Sequence, residues 1–445
     1  VARLFGTDGV RGIAGSELTG ELAYRLGRAA VIALGEGVDR RPTIAVGRDT
    51  RASGEFLEAA IVAGICSAGG DALLLGVCTT PGVAFLTTDL GAHAGAVISA
   101  SHNPAEYNGI KLFGATGYKL PDATEDQVEA IVTGDGRDPV SGRAIGRVRP
   151  VADADERYLG HLEAAAGGSL AGMRVVVDCA NGAASTVAPE MLGRLGADVL
   201  AINREPDGWN INEGSGATNP QVVARAVVEF GADAGVTHDG DADRALFADA
   251  AGNVIDGDQV LAACAIDLHA RGELAGGVLV TTVMANLGLR DAMRGAGIEL
   301  RETKVGDRYV LEEMLRAGAV LGGEQSGHVI FLREATTGDG LLTAVEFLTL
   351  AGRRGCSVAE LGGAMTRYPQ VLLGVEVVDR DDLEAATPVW DAVSRSQHAL
   401  GDRGRVLVRA SGTEPLVRVM VEAPTRDEAD LHAHAIAEVV RTALA

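Results

Sequence analysis

The apolar residues of this chain change their spacing in a repeated order. In TIAVGRDTRASGEFLEAAIVAGICSAGGDALLLG (43–76), RVVVDCANGAASTVAPEMLGRLGADVLAIN (174–203) and GVLVTTVMANLGLRDAMRGAGIELRETKVG (277–306), a consecutive apolar run meets a polar turn. Apolar positions three and four apart follow, then a Gly-rich turn and a second run. That order predicts strand, helix, strand, with the two strands buried and parallel. The three starts, at 43, 174 and 277, are too far apart for a solenoid, whose repeats run about 20–50 residues. They read as three related domains.

Each unit runs into a further apolar strand whose end turns polar: AGAVISASHNP, DAGVTHDGDAD and AGAVLGGEQSG. In open α/β sheets, ligands bind beyond the carboxyl ends of strands, where loops present functional groups without breaking the core. Three such ends at equivalent places in three related domains predict convergence on one shared cleft.

The segment 134–155, rich in Gly, Pro and Arg without apolar periodicity, reads as a linker, and 351–370 closes the third unit around a short helix. Between the second and third units the boundary signal near 250–256 is weaker. After 370 the pattern becomes VLLGVEVV, a helix near 382–400, the alternating pair RVLVRAS and LVRVMVEA joined by ASGTEP, and a last helix. That is a small α+β domain containing a hairpin. The expected architecture is three α/β domains with mixed sheets, at 1–150, 151–252 and 253–366, then the α+β domain at 367–445, around a central cleft.

At 445 residues the chain exceeds the ~250–300 residues at which a single core stops growing, which agrees with several domains. The formal net charge of −22 argues against nucleic acid or an anionic membrane as partner, because both call for basic faces. A small phosphorylated substrate stays open if cations gather locally. No apolar run approaches the ~18 residues of a membrane span, and VARLFGTDG lacks a charged-then-apolar leader pattern, so a cytoplasmic protein is expected. Cysteines 66, 78, 179, 264 and 356 are scattered, odd in number and without C-x-x-C. Free buried thiols fit better than disulfides or zinc.

Asp239, Asp241 and Asp243 put three carboxylates within five residues between apolar strands. A solvated acidic turn is the plain alternative, but partial burial would leave the repulsion uncompensated, so a hard cation fits better. The loop is no EF-hand: Arg244 and Ala250 stand where Gly and Glu would be required. Taken alone, ASHNP reads as a turn with capping residues. Near a divalent metal, with Lys111 following, Ser101 suits phosphoryl transfer, whereas no G-x-S-x-G elbow supports an acyl-transfer hydrolase. In VRASGTEPLVR, Arg409, Ser411, Thr413 and Arg418 surround a Gly-containing loop suited to a phosphate, an ordinary hairpin turn being the equal alternative. GGEQSGH offers Glu324 and Ser326 for hydroxyls and His328 as a proton carrier. In FGTDGVRG, glycine turns flank Asp8 and Arg11, and Arg11 can face a phosphate. His432 and His434 belong to the surface of the last helix.

In order along the chain, FGTDGVRG, ASHNP, DGDADR, GEQSGH and RASGTEPLVR resemble the α-D-phosphohexomutase family, over nearly the whole length. The resemblance implies four domains around a deep cleft and a phosphoserine at Ser101. It implies Mg²⁺ held by Ser101, Asp239, Asp241 and Asp243, and sugar contacts from Glu324 and Ser326. Arg409, Ser411, Thr413 and Arg418 would anchor the non-reacting phosphate. Arg11, His102, Lys111, Arg244 and His328 would lie near the transferred group, their acid, base and electrostatic roles undivided. The GEQSGH and SGTEPL forms look like the glucosamine branch. The implied reaction interconverts glucosamine 6-phosphate and glucosamine 1-phosphate for cell-wall precursors, with a sugar 1,6-bisphosphate as intermediate and activator. A phosphosugar is the expected partner, and a homodimer is admitted. Phosphomannomutases and phosphoglucomutases would use the same residues, and a non-catalytic sugar-phosphate binder is the rival of another class.

Overall fold

The computed structural model of the chain describes residues 3–6, 8–35, 40–134, 139–379, 381–411 and 416–444. By contact these form two compact units, residues 1–283 with 298–364, and residues 284–297 with 365–445.

The first unit carries three mixed sheets. The first contains β1 (Val10–Ile13), β2 (Thr43–Arg48), β3 (Asp71–Val77), β4 (Ala94–Ile98), β5 (Tyr107–Gly114) and β6 (Val148–Pro150), in the order β1-β5-β4-β2-β3-β6. The second contains β7 (Arg174–Asp178), β8 (Asp198–Ile202), β9 (Ala234–Thr237), β10 (Leu246–Asp249) and β11 (Val254–Ile255), ordered β11-β10-β9-β7-β8. The third contains β12 (Val278–Thr282), β13 (Glu299–Thr303), β14 (Leu321–Gly323) and β15 (Val329–Phe331), ordered β13-β12-β14-β15.

The three sheets share one core plan. In each, the strand that opens the repeated unit (β2, β7 or β12) pairs parallel with the next two (β3 and β4, β8 and β9, β13 and β14), and the last of these pairs antiparallel with a return strand (β5, β10 or β15). The apolar runs are buried along whole strands, as in Ala94–Ile98 and Val278–Thr282, which parallel pairing under covering helices demands. The polar ends identified in the sequence therefore sit in the turns between third strand and return strand, the same place in all three sheets.

One expectation needs correction. Part of the segment 134–155 read as linker is β6, which pairs parallel with β3 through Ala72, Leu73 and Leu74 and closes the edge of the first sheet. A three-residue edge strand, exposed throughout, carries no apolar periodicity because it buries no face.

The second unit carries an antiparallel sheet of β16 (Gln370–Glu376), β17 (Arg405–Ala410) and β18 (Leu416–Glu422), with β18 in the middle. Helices Thr387–Leu400 and Arg426–Ala443 supply Val389, Ala433, Ile436 and Val440 to its core. The helix Leu287–Ala296 belongs to this unit by contact. Glu422 accepts from Asn286 Nδ2 at 3.0 Å and from the Leu287 N–H at 3.1 Å, and Arg405 donates to Ala285 O at 2.6 Å.

Candidate active site

In the first unit, the turn after β4 meets the turn after β9. Ser101 is only 2% exposed, and its hydroxyl donates to Asp239 Oδ2 at 2.5 Å. The approach needs a residue without a side chain at position 240, since a Cβ there would stand 2.6 Å from Ser101 O. Ser101 itself has φ 53° and Ala242 φ 56°. Left-handed backbone at non-Gly residues costs about 1–3 kcal/mol each and clusters where surrounding structure dictates the conformation.

Asp239, Asp241 and Asp243 are all buried, with ligand oxygens within 4.8 Å of one another. Each retains one oxygen, Oδ1, without a hydrogen-bond partner. Three inward carboxylates with three orphaned oxygens match the all-oxygen set that Mg²⁺ or a similar hard cation takes, with places left for phosphate oxygens or water. Burial, then repulsion from Asp243 and Asp241, pushes the Asp239 carboxyl well above its ordinary range. A cation offsets that repulsion.

The remaining oxygens of the triad are held by the scaffold. Asp241 Oδ2 accepts from Thr80 Oγ1 at 2.7 Å, and the Thr80 N–H donates to Asp241 O at 3.0 Å. Thr80 opens the helix Thr80–Asp89, capped by Thr79 and started by Pro81, so the amide end of that helix faces the aspartate loop. Lys111, from β5, places Nζ 2.9 Å from Asp241 Oδ2 and 3.9 Å from Asp243 Oδ2. Burial disfavours its charge, but Asp241, Asp8 and Asp243 outweigh burial and hold it protonated.

His328, after β14, points Nδ1 at Asp243 Oδ2 at 3.6 Å, and its Nε2 accepts from the Gly338 N–H at 3.1 Å. Burial lowers its pKa and Asp243 raises it, the net shift being upward. Arg244 Nε is 3.7 Å from Asp243 Oδ1. His102 Nδ1 lies 3.4 Å from Ser101 Oγ, and burial, then the Arg244 and Arg11 charges, lower its pKa. Glu324 Oε1 accepts from the Gly306 N–H at 3.1 Å, and the Ser326 hydroxyl is buried without a hydrogen bond.

At the N-terminal end, Gly9 has φ 82°, and a Cβ there would stand 2.5 Å from Ile110 O. This close turn lets β1 pair with β5, Arg11 opposite Gly109. Asp8 then joins Arg11, Lys111 at 3.0 Å and Lys119 at 2.7 Å, and Lys119 also pairs with Asp307.

Ser101, His102, Lys111, Arg11, Arg244, His328 and the three aspartates are thus one connected cluster, with Glu324 and Ser326 on the turn that also carries His328. Arg409, Ser411 and Arg418 lie in the second unit, where Arg409 and Arg418 are cross-strand partners. Thr413 falls outside the described residues. The sequence reading missed Arg51, Thr80, Lys119, Asn212 and Asp307. The polar end GRDTR after β2 is the one signal that could have flagged Arg51.

Models of the four phosphoglucomutase/phosphomannomutase domains match this chain in order: α/β/α domain I over 2–137, α/β/α domain II over 156–252, α/β/α domain III over 256–368 and the C-terminal domain over 372–439. The chain belongs to that family and is an isomerase. Its curated relatives include phosphoglucosamine mutases. That of Symbiobacterium thermophilum is 53% identical over 445 residues, 99% of each chain, and that of Thermobifida fusca is 53% identical over 446 residues, 100% and 99% of the two chains. Among solved structures, a family protein of Burkholderia thailandensis superposes with TM-score 0.83 at 23% identity, covering 99% of this chain and 97% of that one. Aspergillus fumigatus N-acetylphosphoglucosamine mutase, in complex with GlcNAc-6P and magnesium, gives 0.71 at 19%, covering 99% and 96%. Four domains, three α/β and one α+β, are thereby the architecture of this chain as of its family. Among the described residues no helix is long and apolar enough to cross a membrane.

Proposed function

We infer that the protein interconverts glucosamine 6-phosphate and glucosamine 1-phosphate, within the domain bounds 1–150, 151–252, 253–366 and 367–445. The observation that carries this reading is Ser101 Oγ held 2.5 Å from a buried aspartate triad, in a chain about half identical to phosphoglucosamine mutases along its length.

In this reading Ser101 rests as a phosphoserine. The sugar's O1 attacks the phosphorus, the Oγ–P bond breaks as the O1–P bond forms, and the proton of O1 passes to a base among the neighbouring side chains. The resulting 1,6-bisphosphate turns over, Ser101 Oγ attacks the phosphorus on O6, the O6–P bond breaks as the Oγ–P bond forms, and O6 takes back the proton lost by O1, releasing glucosamine 1-phosphate. The same bisphosphate primes unphosphorylated enzyme. Asp239, Asp241, Asp243 and the Ser101 phosphate would hold Mg²⁺. When bound, the ion neutralises charge on the transferring phosphoryl group.

Lys111 and Arg244, each held cationic by facing carboxylates, stabilise the equatorial oxygens of the transferring group, with Arg11 beside them and His328 facing Asp243 through Nδ1. Glu324 and Ser326 take sugar hydroxyls or the amino group. Arg409, Ser411, Thr413 and Arg418 anchor the phosphate that does not react. The setting is cytoplasmic, where the product feeds amino-sugar nucleotide synthesis.

The test is turnover on glucosamine, glucose and mannose phosphates beside intact mass. Active protein should carry about +80 Da at Ser101 and prefer the glucosamine substrates. Ser101→Ala should keep divalent-cation binding and lose turnover by several orders of magnitude, since water is a poor substitute carrier. Wild-type activity in that variant would overturn the reading.

A further inference from the structure

Arg51 is a fully buried arginine that touches neither the aspartate triad nor Ser101 Oγ. Its guanidinium faces the back of the Ser101 turn. Nη2 donates to Ser101 O at 2.8 Å and Asn103 O at 2.9 Å, and Nη1 donates to Pro104 O at 2.6 Å. Three carbonyl oxygens of one turn thus converge on one cation. Asp49, also fully buried, fixes that cation by accepting from its Nε at 2.9 Å.

Asp49 reaches the same turn from the other side. Its Oδ2 accepts from Ser99 Oγ at 2.5 Å, and Ser99 Oγ accepts from the Ser101 N–H at 3.0 Å. The second sheet's domain adds a matching contact. Asn212 Nδ2 donates to Ser101 O at 2.9 Å and to Asn103 O at 3.2 Å. Both backbone groups of Ser101 are therefore held, at a residue whose φ of 53° the free chain disfavours.

We propose that Arg51 and Asn212 are positioning residues for phosphoryl transfer: by gathering the carbonyls of residues 101, 103 and 104, they lock Ser101 in the left-handed conformation that presents Oγ to the aspartate triad. The proposal rests on the mutase reading above. Without the guanidinium, Pro104 O would lose its side-chain donor, the carbonyls of Ser101 and Asn103 would keep only the Asn212 amide, and the buried Asp49 carboxylate would lose its cation. The turn would rotate peptides outward, Ser101 would relax to negative φ, and Oγ would leave the triad. Arginine is required over lysine because a planar fork can serve three acceptors and Asp49 at once, which a single ammonium cannot.

The experiment uses the full chain with Mg²⁺ and a sugar 1,6-bisphosphate, and compares Arg51→Lys, Arg51→Met, Asn212→Ala and Ser101→Ala. Measured are kcat, KM for glucosamine 6-phosphate, Mn²⁺ affinity, melting temperature and Ser101 phosphate occupancy. A nucleophile displaced by about 1 Å loses ~100-fold in rate, so Arg51→Lys should lose about that in kcat and Arg51→Met more. Asn212→Ala, which removes one of two clamps, should lose ~10-fold. KM should stay within about twofold, since the substrate contacts are intact, and Mn²⁺ affinity should fall no further than in Ser101→Ala, since the three aspartates are untouched.

Asn212→Ala removes a half-buried amide and keeps the test open if the arginine variants fail to fold. Wild-type kcat in folded Asn212→Ala and Arg51→Lys overturns the proposal, as does a raised KM with unchanged kcat. If Ser101→Ala itself keeps turnover, the mutase reading has failed rather than the clamp alone.

Discussion

Lys111 Nζ lies 2.9 Å from Asp241 Oδ2 and ties the return strand of the first sheet to the aspartate turn of the second. The same ammonium is 3.0 Å from Asp8 Oδ2. With Asp243 Oδ2 at 3.9 Å it faces three carboxylates, so loss of one leaves two opposite its charge.

Asp241→Asn is therefore expected to leave a folded protein, because Lys111 keeps Asp8. Loss of one anionic oxygen from the cation site should lower turnover by ~100-fold or more and weaken Mn²⁺ binding in parallel. Steady-state kinetics with Mg²⁺ titration and Mn²⁺ binding check this. Unchanged cation dependence would remove Asp241 from the metal site.

Asp8 sets an acid limit on stability. Burial alone would raise its pKa, but Lys111, Lys119 and Arg11 outweigh burial and hold it well below the ordinary carboxylate range. A carboxyl depressed in the folded state contributes stability above the unfolded pKa of about 3.9, and loses it as pH falls below that value. The stability gap between wild type and Asp8→Asn in urea should be constant from about pH 7 to 5 and narrow below about pH 4. A gap that stays level through pH 3 would contradict the assignment.

Lys119 bridges Asp8 and Asp307 between the first and third sheets' domains. Lys119→Met leaves two carboxylates facing each other. The pair is not fully enclosed, so the expected cost is about 2–3 kcal/mol rather than the larger value of a sealed site. Lys119→Arg should recover most of it. Equal stability of the methionine variant and wild type in urea melts would show the bridge to be inert.

Arg409 and Arg418 stand opposite each other in the β17–β18 register, and burial, then the Arg418 charge, lower the Arg409 pKa. Like charges placed directly across a strand pair are destabilising, and a bound anion relieves them. If Arg409 anchors the non-reacting phosphate as proposed, Arg409→Ala should raise KM by about tenfold with kcat within about threefold, because such a contact would be made before and during reaction. A normal KM would place the phosphate anchor elsewhere.

The three crossover units are legible in the chain because parallel strands buried on both faces must be apolar throughout, and amphipathic helices must repeat at three and four. The acidic turn 239–243 is legible for the opposite reason: an apolar strand rarely delivers three carboxylates unless something balances them. The edge strand Val148–Pro150 is not legible, since its pairing belongs to β3 and leaves no mark on its own residues. Nor is the depth at which Ser101 sits: ASHNP by itself reads as a turn with capping residues, whereas Ser101 is buried where that turn meets the aspartate turn.

Sequence alone determined the repeated units, the antiparallel tail and the turns that carry chemistry, because these follow from the spacing of apolar residues and from local turn chemistry. Tertiary structure decided which side chains share the site. Arg51 and Ser101, Asn212 and Ser101, and Lys119 and Asp307 are contacts across 50, 111 and 188 residues. Their residue types would look ordinary on any polar loop. A buried charge acquires its role from the acceptors that folding gathers around it: for Arg51 these are carbonyls of a turn 50 and more residues away in the same domain, and for Lys119 carboxylates from the first and third sheets' domains.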